Sequence, residues 1–252
     1  MGIAKAIAAS GVARSELFIT DKVSPNGFFG MPCRTHDECL AALKERLAML
    51  GTDYVDLYLL HHPFAKDERV NQWRALVEAQ KQGLVKHIGV SNWSERHIEE
   101  IKAADAALPY PEVNQVELHP LCTQAEALPY MQSKGIAVIA YSSLAPASTW
   151  RVDPGQDSAP IEDDSHRVVL MDMVVRYNGD GDKAAVSEAQ LLLRWALQRG
   201  FAILPKSSKA ERIQANAQLF HFELSPEDMA TLDGLDRNLA VAWPFANPMN
   251  AD

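Results

Sequence analysis

Five apolar segments of the chain end in, or carry near their ends, polar side chains that could take part in chemistry. These side chains are Lys22, His61, Ser91 with Asn92, Gln115, and Lys206 with Ser207. Lysine and histidine can stabilise charge or transfer protons, while hydroxyls and amides supply hydrogen-bond donors and acceptors. A single polar residue at the end of a strand usually marks only the start of a loop. Five such ends favour a functional site, because catalytic groups gather at the carboxyl ends of the strands in parallel α/β barrels.

The elements that must position these residues are short strand-like runs that alternate with longer helical stretches. Seven runs are apolar and rich in β-branched or aromatic residues, as strands buried on both faces should be: 17–20, 55–60, 87–90, 112–116, 136–141, 201–204 and 218–222. Helix caps are recognisable at Thr35 and Ser225, and Gly51 is placed to end a helix. The alternation predicts a parallel sheet, open or closed into a barrel. No internal repeat or boundary is visible, so one domain is predicted over residues 1–252.

The composition excludes several classes of protein. The 252 residues are 47% hydrophobic and 23% charged, which is typical of a globular protein. No apolar run reaches the roughly 18 residues of a membrane span, so no membrane partner is expected. A net charge of −9 argues against nucleic acid as a partner, and a bound phosphate would need a local cluster of cations. The three cysteines form no paired motif, which predicts a reducing, cytoplasmic compartment.

Common nucleotide, hydrolase and metal motifs do not occur in the sequence. There is no G-x-G-x-x-G for a Rossmann site, no G-x-x-x-x-G-K-[ST] for a P-loop and no G-x-S-x-G for a hydrolase elbow. His61 and His62 are adjacent, and adjacent residues of a strand point to opposite faces. The pair is therefore a poor chelate, and no metal site is predicted.

Six segments resemble the aldo-keto reductase family and follow the family's order along nearly the whole chain. They are residues 54–63, 88–92, 114–120, 140–142, 191–198 and 204–208, with Arg212 and Asn216 beyond them. The resemblance implies a (β/α)8 TIM barrel that holds NADP(H) in extended form without a Rossmann domain. It also implies an NADPH-dependent oxidoreductase that reduces small aldehydes or ketones to alcohols.

The same resemblance implies roles for individual residues. Lys22 and His61 match the family's catalytic lysine and histidine, which suits a carbonyl oxygen that gains negative charge as the carbon accepts hydride. The residues that match the nicotinamide end and the cofactor backbone are Ser91, Asn92, Gln115, Tyr141, Ser142 and Leu144. The residues that match the 2′-phosphate and adenine end are Lys206, Ser207, Ser208, Arg212 and Asn216. His62, where the family commonly has tryptophan, and Trp243 would line the substrate pocket.

One departure from the family concerns the N-terminus. The family's catalytic tyrosine and aspartate lie on or just after the first strand, and residues 1–7 resemble the middle of the helix that follows. The expectation is a barrel with seven of its eight strands, without these two residues. Three interpretations stay open: a lost N-terminus, a short relative with another proton donor, or a non-catalytic NADP-binding or partner-binding module. Slow catalysis and self-association through open strand edges near Phe18 and Phe220 would follow.

Overall fold

A computed structural model describes residues 2–27, 30–147, 165–179, 185–243 and 247–252. The chain divides into two compact units. Unit 1 comprises Met1–Gln115, Tyr130–Ala137 and Pro248–Asp252, and unit 2 comprises Val116–Pro129 and Val138–Asn247. A single domain over the whole chain stays a prediction. No helix in the described ranges is long and apolar enough to cross a bilayer.

The described residues alternate between strands and helices, which confirms the predicted α/β class. The strands are β1 (Thr20–Val23), β2 (Val55–Leu60), β3 (Val85–Ser91), β4 (Val113–Glu117), β5 (Ala137–Tyr141) and β6 (Ala202–Ile203). The helices are α1 (Gly2–Ser10), α2 (His36–Leu50), α3 (Arg69–Lys81), α4 (Glu95–Ala104), α5 (Leu128–Ser133), α6 (Ser165–Asn178), α7 (Glu188–Gln198), α8 (Ala210–Ala217) and α9 (Pro226–Asp233).

The predicted count of seven strands is not confirmed, because the described ranges contain six. The segment 218–222 forms no strand: it directly follows α8, and Phe220 is 80% exposed. Its aromatic residues suggested a buried strand, but only Leu219 among its apolar side chains is buried. The parallel pairing within each unit is consistent with the barrel architecture, in which each strand is followed by a helix.

In unit 1, β1, β2, β3 and β4 pair in parallel, each with the next. All six residues of β2 are buried, as expected for a strand covered on both faces. A side chain at Gly89 of β3 would place its Cβ 2.5 Å from the Val113 carbonyl oxygen and 2.8 Å from Leu59. Only glycine therefore lets these strands approach closely enough for Ser91 to pair with Gln115.

The first strand begins later than the sequence predicts, at Thr20 rather than Leu17. The backbone before it is bound by side chains from elsewhere: Arg14 donates to the Leu17 carbonyl at 2.8 Å, and the Ile19 amide donates to the Asp56 carboxylate at 2.9 Å. The Ile19 carbonyl also accepts from the Asp56 and Leu57 amides of β2, so residue 19 is bound to β2 although the regular strand begins at Thr20. As a result, Lys22 lies inside β1 and does not follow it.

The helix caps agree with the sequence prediction. Thr35 and Glu38 form a capping box at the start of α2, and Gly51 ends that helix with a φ of +69°. At the start of α9, the Ser225 hydroxyl accepts from the Asp228 amide at 3.0 Å. These local patterns position α2 so that Leu40, Leu43 and Leu47 are buried.

Unit 2 pairs β5 and β6 in parallel, and the Leu204 amide extends the pairing by donating to the Ala140 carbonyl at 3.1 Å. Helix α7 buries most of its residues, including Trp195. Its Arg194 donates to the Leu219 carbonyl at 3.1 Å. The buried Arg194 guanidinium therefore holds the segment that follows α8. Because this bond satisfies the Leu219 carbonyl, residues 218–222 need no partner strand there.

Three histidines of unit 1 are held in their neutral form. Burial is the main cause that lowers the pKa of His61, His62 and His97, each to about 4. A histidine in an unfolded chain has a pKa near 6.5. Between these two values the unfolded state binds more protons than the folded state, so stability decreases as the pH falls.

We therefore expect acid to destabilise the fold well before its carboxylates are protonated. As the pH falls from about 6.5 to about 4, one fully buried histidine such as His97 lowers the free energy of unfolding by on the order of 3 kcal/mol. Urea unfolding at several pH values in this range measures the slope of the free energy of unfolding against pH. His97→Gln should reduce the slope, whereas His221→Gln at an exposed position should leave it unchanged. A slope that is the same in His97→Gln and the parent would contradict the assignment.

Candidate functional site

Lys22 and His61 form the charged end of the candidate site in unit 1. Lys22 lies half-buried on β1, and desolvation lowers the pKa of its ammonium while Asp21 partly offsets that effect. His61 directly follows β2, and its amide donates to the Val23 carbonyl at 3.0 Å. Burial, together with the nearby Lys22 charge, lowers the pKa of His61 to about 4. At neutral pH the site therefore holds a cation beside an uncharged imidazole.

His62 is buried next to this pair. Its Nε2 lies 3.3 Å from the Ser24 hydroxyl, and its ring centroid lies 5.8 Å from that of His61 and 4.8 Å from that of Phe64. Burial and the neighbouring His61 lower its pKa to about 4. His62 therefore contributes a polar, uncharged side chain at this position. A tryptophan, which the family that the sequence resembles commonly has here, would be more apolar. Among the described residues, no group of histidine, cysteine, aspartate and glutamate side chains is placed to hold a metal ion.

A hydrogen-bond network joins the ends of β2, β3 and β4. The Ser91 hydroxyl and the Asn92 amide both donate to the Gln115 carbonyl, at 2.8 and 2.9 Å. The Asn92 side chain donates to the Ser91 hydroxyl at 3.0 Å and to the His61 carbonyl at 3.3 Å. Asn92 has a φ of +63°, a left-handed conformation that asparagine tolerates better than most residues. The network fixes these strand ends relative to His61.

The Gln115 side chain is the unsatisfied group of this network. It is 1% exposed, and neither its oxygen nor its nitrogen has a partner among the described residues. A buried amide without hydrogen bonds costs about 1–3 kcal/mol for each unpaired group. A ligand that carries both a donor and an acceptor would satisfy both atoms.

In unit 2, Tyr141 ends β5 and is half-buried. Its hydroxyl accepts from the Trp243 indole nitrogen at 2.9 Å, so the aromatic predicted for the nicotinamide ring contacts the one predicted for the substrate pocket. Ser142 follows with a φ of +53°, which turns the chain sharply after the strand. Leu144, half-buried, comes two residues later.

A cleft of about 560 Å³ in unit 2 collects most of the residues predicted for the cofactor's phosphate end. Its lining includes Ser142, Leu144, Lys206, Ser207, Ser208, Lys209 and Arg212. The cations stand at the N-terminus of α8, where the Ser207 hydroxyl accepts from the Lys209 amide at 3.1 Å. Cations beside a helix N-terminus attract anions. Asn216 is buried on α8 and is not part of the cleft lining.

The predicted residues are divided between the two units. Unit 1 contains Lys22, His61, His62, Ser91, Asn92 and Gln115, and unit 2 contains Tyr141, Ser142, Leu144, Lys206, Ser207, Ser208, Arg212, Asn216 and Trp243.

The sequence prediction missed two polar residues that support these groups. Ser24 contacts His62, and the Glu117 carboxylate binds the backbone of residues 241–242. The signal for Glu117 was an acidic residue between the apolar residues Val116 and Leu118, because an acid that becomes buried needs partners.

Comparisons with known proteins identify the family of the chain. The model of the aldo/keto reductase family matches residues 1–237. A glyoxal reductase of Bacillus subtilis is 40% identical over 240 residues, which covers 95% of this chain and 76% of that protein. An uncharacterised oxidoreductase of the same organism, YtbE, is 39% identical, with 95% and 75% covered.

Solved structures agree with the sequence relatives. The crystal structure of a Bombyx mori aldo-keto reductase, AKR2E4, in complex with NADP matches with a TM-score of 0.77 and 34% identity, covering 95% of this chain and 74% of that one. A second aldo-keto reductase, AKR2E5, complexed with NADPH, matches with a TM-score of 0.79 and 27% identity, covering 100% and 76%.

These matches do not support the expectation of a missing first strand, since the family model matches from residue 1. They give no support to impaired catalysis or to a non-catalytic module. Self-association and a cytoplasmic location stay predictions. With a family model that covers residues 1–237 and relatives at 39–40% identity, the chain belongs to the aldo/keto reductase family.

Proposed function

We propose that this protein uses NADPH to reduce small aldehydes or ketones to alcohols. The observation that carries the proposal is the half-buried Lys22 cation beside the neutral His61 imidazole, together with the unsatisfied side-chain amide of Gln115; Asn92 bonds to the backbone carbonyls of both His61 and Gln115. The glyoxal reductase relative and the NADP-bound and NADPH-bound structural neighbours support the same reaction class.

The residues present fit NADP(H). Gln115 offers an unpaired acceptor and an unpaired donor, which is what the carboxamide of a nicotinamide requires, and Ser91 and Asn92 flank it. Tyr141 is proposed to stack on the nicotinamide ring, with Ser142 and Leu144 along the cofactor's length. The proposed phosphate and adenine contacts are Lys206, Ser207, Ser208, Arg212 and Asn216. When bound, NADPH supplies the hydride that reduces the carbonyl carbon.

Lys22 and His61 act on the carbonyl oxygen in this proposal. His61 is uncharged above about pH 4, so one ring nitrogen carries a proton that can be donated to the oxygen as a hydrogen bond. The Lys22 ammonium stabilises the negative charge that develops there, and partial burial strengthens its effect relative to water. His62 and Trp243 are proposed to line the substrate pocket, where His62 favours polar carbonyl compounds.

The test is binding followed by turnover. NADPH titration monitored by protein fluorescence should show saturable binding. Addition of a panel of aldehydes and ketones should then consume NADPH, measured by its absorbance. Binding without turnover of any carbonyl would overturn the proposed reaction, and no binding of NADPH would overturn the cofactor assignment.

Gln115→Leu gives a prediction in which stability and binding change in opposite directions. Removing an unsatisfied buried amide should raise the free energy of unfolding of the ligand-free protein by about 1 kcal/mol or more, while NADPH affinity falls about tenfold. Urea unfolding and NADPH titration measure the two effects. The neighbouring Asn114 is the control, because its amide is paired with the Trp93 backbone at 2.7 and 3.4 Å. Asn114→Leu should lower the free energy of unfolding. An equal decrease in Gln115→Leu would contradict the conclusion that the Gln115 amide is unsatisfied.

A further inference from the structure

The C-terminal part of unit 2 is fastened to the segment that follows β4. The Leu121 carbonyl accepts from the amides of Arg237 and Leu239, at 3.2 and 2.9 Å. The Asp236 carboxylate accepts from the Thr123 hydroxyl at 2.5 Å and from its amide at 3.2 Å. Residues 236–239 are therefore held against residues 121–123 by four hydrogen bonds.

Glu117 makes the last and strongest of these attachments. Its carboxylate is 3% exposed and accepts from the Val241 amide at 2.9 Å and from the Ala242 amide at 2.8 and 3.0 Å. The buried His119 imidazole lies 3.2 Å from the same carboxylate. Two consecutive backbone amides on one buried carboxylate form charge-assisted bonds, which are about twice as strong as neutral ones.

The residue after these two amides is Trp243, whose indole nitrogen donates to the Tyr141 hydroxyl at 2.9 Å. A tryptophan has few rotatable bonds, so its ring position is set largely by the backbone that carries it. With the backbone held at positions 241 and 242, the ring lies where its indole nitrogen donates to the Tyr141 hydroxyl. Glu117 acts on that arrangement without contacting either aromatic ring through any described hydrogen bond.

We propose that Glu117 is a positioning residue that sets the substrate selectivity of the enzyme by fixing Trp243 against Tyr141. The inference rests on the proposed function, because it takes Tyr141 as the residue that stacks on the nicotinamide ring and Trp243 as a wall of the carbonyl pocket. Glu117 does not touch the substrate. Its contribution is to define how much room lies beside the pair of rings, and hence which aldehydes fit.

Glu117→Gln tests the proposal with little change of volume. The substitution removes the negative charge and one of the two accepting oxygens, so the remaining oxygen can accept from the Val241 and Ala242 amides only through neutral hydrogen bonds. The ratio of kcat/KM for propanal to that for 4-nitrobenzaldehyde should change about tenfold, mainly through KM, while the NADPH Kd stays within about twofold. Trp243→Phe should change the same ratio, and the double variant should change it no more than either single variant.

Two controls separate positioning from stability and from the proposed function. Asp228→Asn removes another buried carboxylate of unit 2, paired with Arg176 at 2.6 Å and Tyr177 at 2.7 Å. It should lower stability without changing the aldehyde ratio. Tryptophan fluorescence should differ between Glu117→Gln and the parent, and this difference should vanish in the Trp243→Phe background.

Equal effects on both aldehydes, or additive effects of the two substitutions, would overturn the role of Glu117. A tryptophan fluorescence spectrum that is the same in Glu117→Gln and the parent would also overturn the role of Glu117, and this measurement needs no substrate. If the parent protein reduces no carbonyl compound, the proposed function fails instead, and the fluorescence comparison still decides whether Glu117 positions Trp243.

Discussion

Lys22→Met is expected to lower kcat/KM for aldehyde reduction by ~10²–10⁴-fold. The substitution removes the cation that stands beside His61 and leaves a side chain of similar length. Because burial lowers the pKa of Lys22, its ammonium is already costly to keep in the fold, so its loss should not destabilise the protein. Steady-state rates at saturating NADPH measure the effect, and urea unfolding checks the stability.

The matched control is Lys44→Met, which changes the same residue type at an exposed position on α2 and should retain full activity. The parent enzyme should also lose activity as the pH rises, because the lowered pKa of Lys22 brings deprotonation below the ordinary value of 10.5. Lys22→Met should lack this alkaline loss. Comparable rates in Lys22→Met and the parent would show that Lys22 does not serve the reaction.

Arg212→Ala should convert the enzyme from a strong preference for NADPH to near equality with NADH. Arg212 is exposed in the cationic cleft at the start of α8, together with Lys206 and Lys209. A charge-assisted bond to a phosphate contributes ~1.5–3 kcal/mol, so the NADPH Kd should rise at least about tenfold. The NADH Kd should remain nearly constant, since NADH lacks the 2′-phosphate. Titration of both cofactors at fixed ionic strength measures the two constants.

Arg74→Ala on α3 is the control for a general change in charge, because it removes an arginine of comparable exposure far along the chain from the cleft residues. It should leave both dissociation constants unchanged. If Arg212→Ala weakens the binding of NADPH and NADH equally, a specific contact with the 2′-phosphate is excluded. If it weakens the binding of neither, Arg212 is not part of the binding site.

The features that the sequence predicted correctly depend on neighbours in the chain. Thr35 and Glu38 of the capping box are three positions apart, and the buried residues of β2 are consecutive. Each feature can therefore be predicted from the local sequence alone. The errors arose where distant groups intervene. Residues 17–19 have strand-like composition, yet the Arg14 side chain binds the Leu17 carbonyl, the Asp56 side chain binds the Ile19 amide, and the regular strand begins only at Thr20.

The candidate site shows the same limit. Its residue types were predictable from six short motifs, but the unsatisfied state of Gln115 is a property of the packed interior, where no partner among the described residues reaches its side-chain amide. The contact of Glu117 with residues 241 and 242 joins positions 124 and 125 residues apart, and no spacing rule connects them. Burial and long-range hydrogen bonding therefore had to come from the structure.

The separation between Glu117 and Val241 also has a consequence for how the protein is made. A ribosome adds roughly 5–20 residues per second. Glu117 is therefore synthesised on the order of ten seconds before the amides that donate hydrogen bonds to its carboxylate. During that interval the end of β4 carries a charge that a finished interior would bury. The contact between Glu117 and residues 241 and 242 is consequently among the last parts of unit 2 to be completed on the nascent chain.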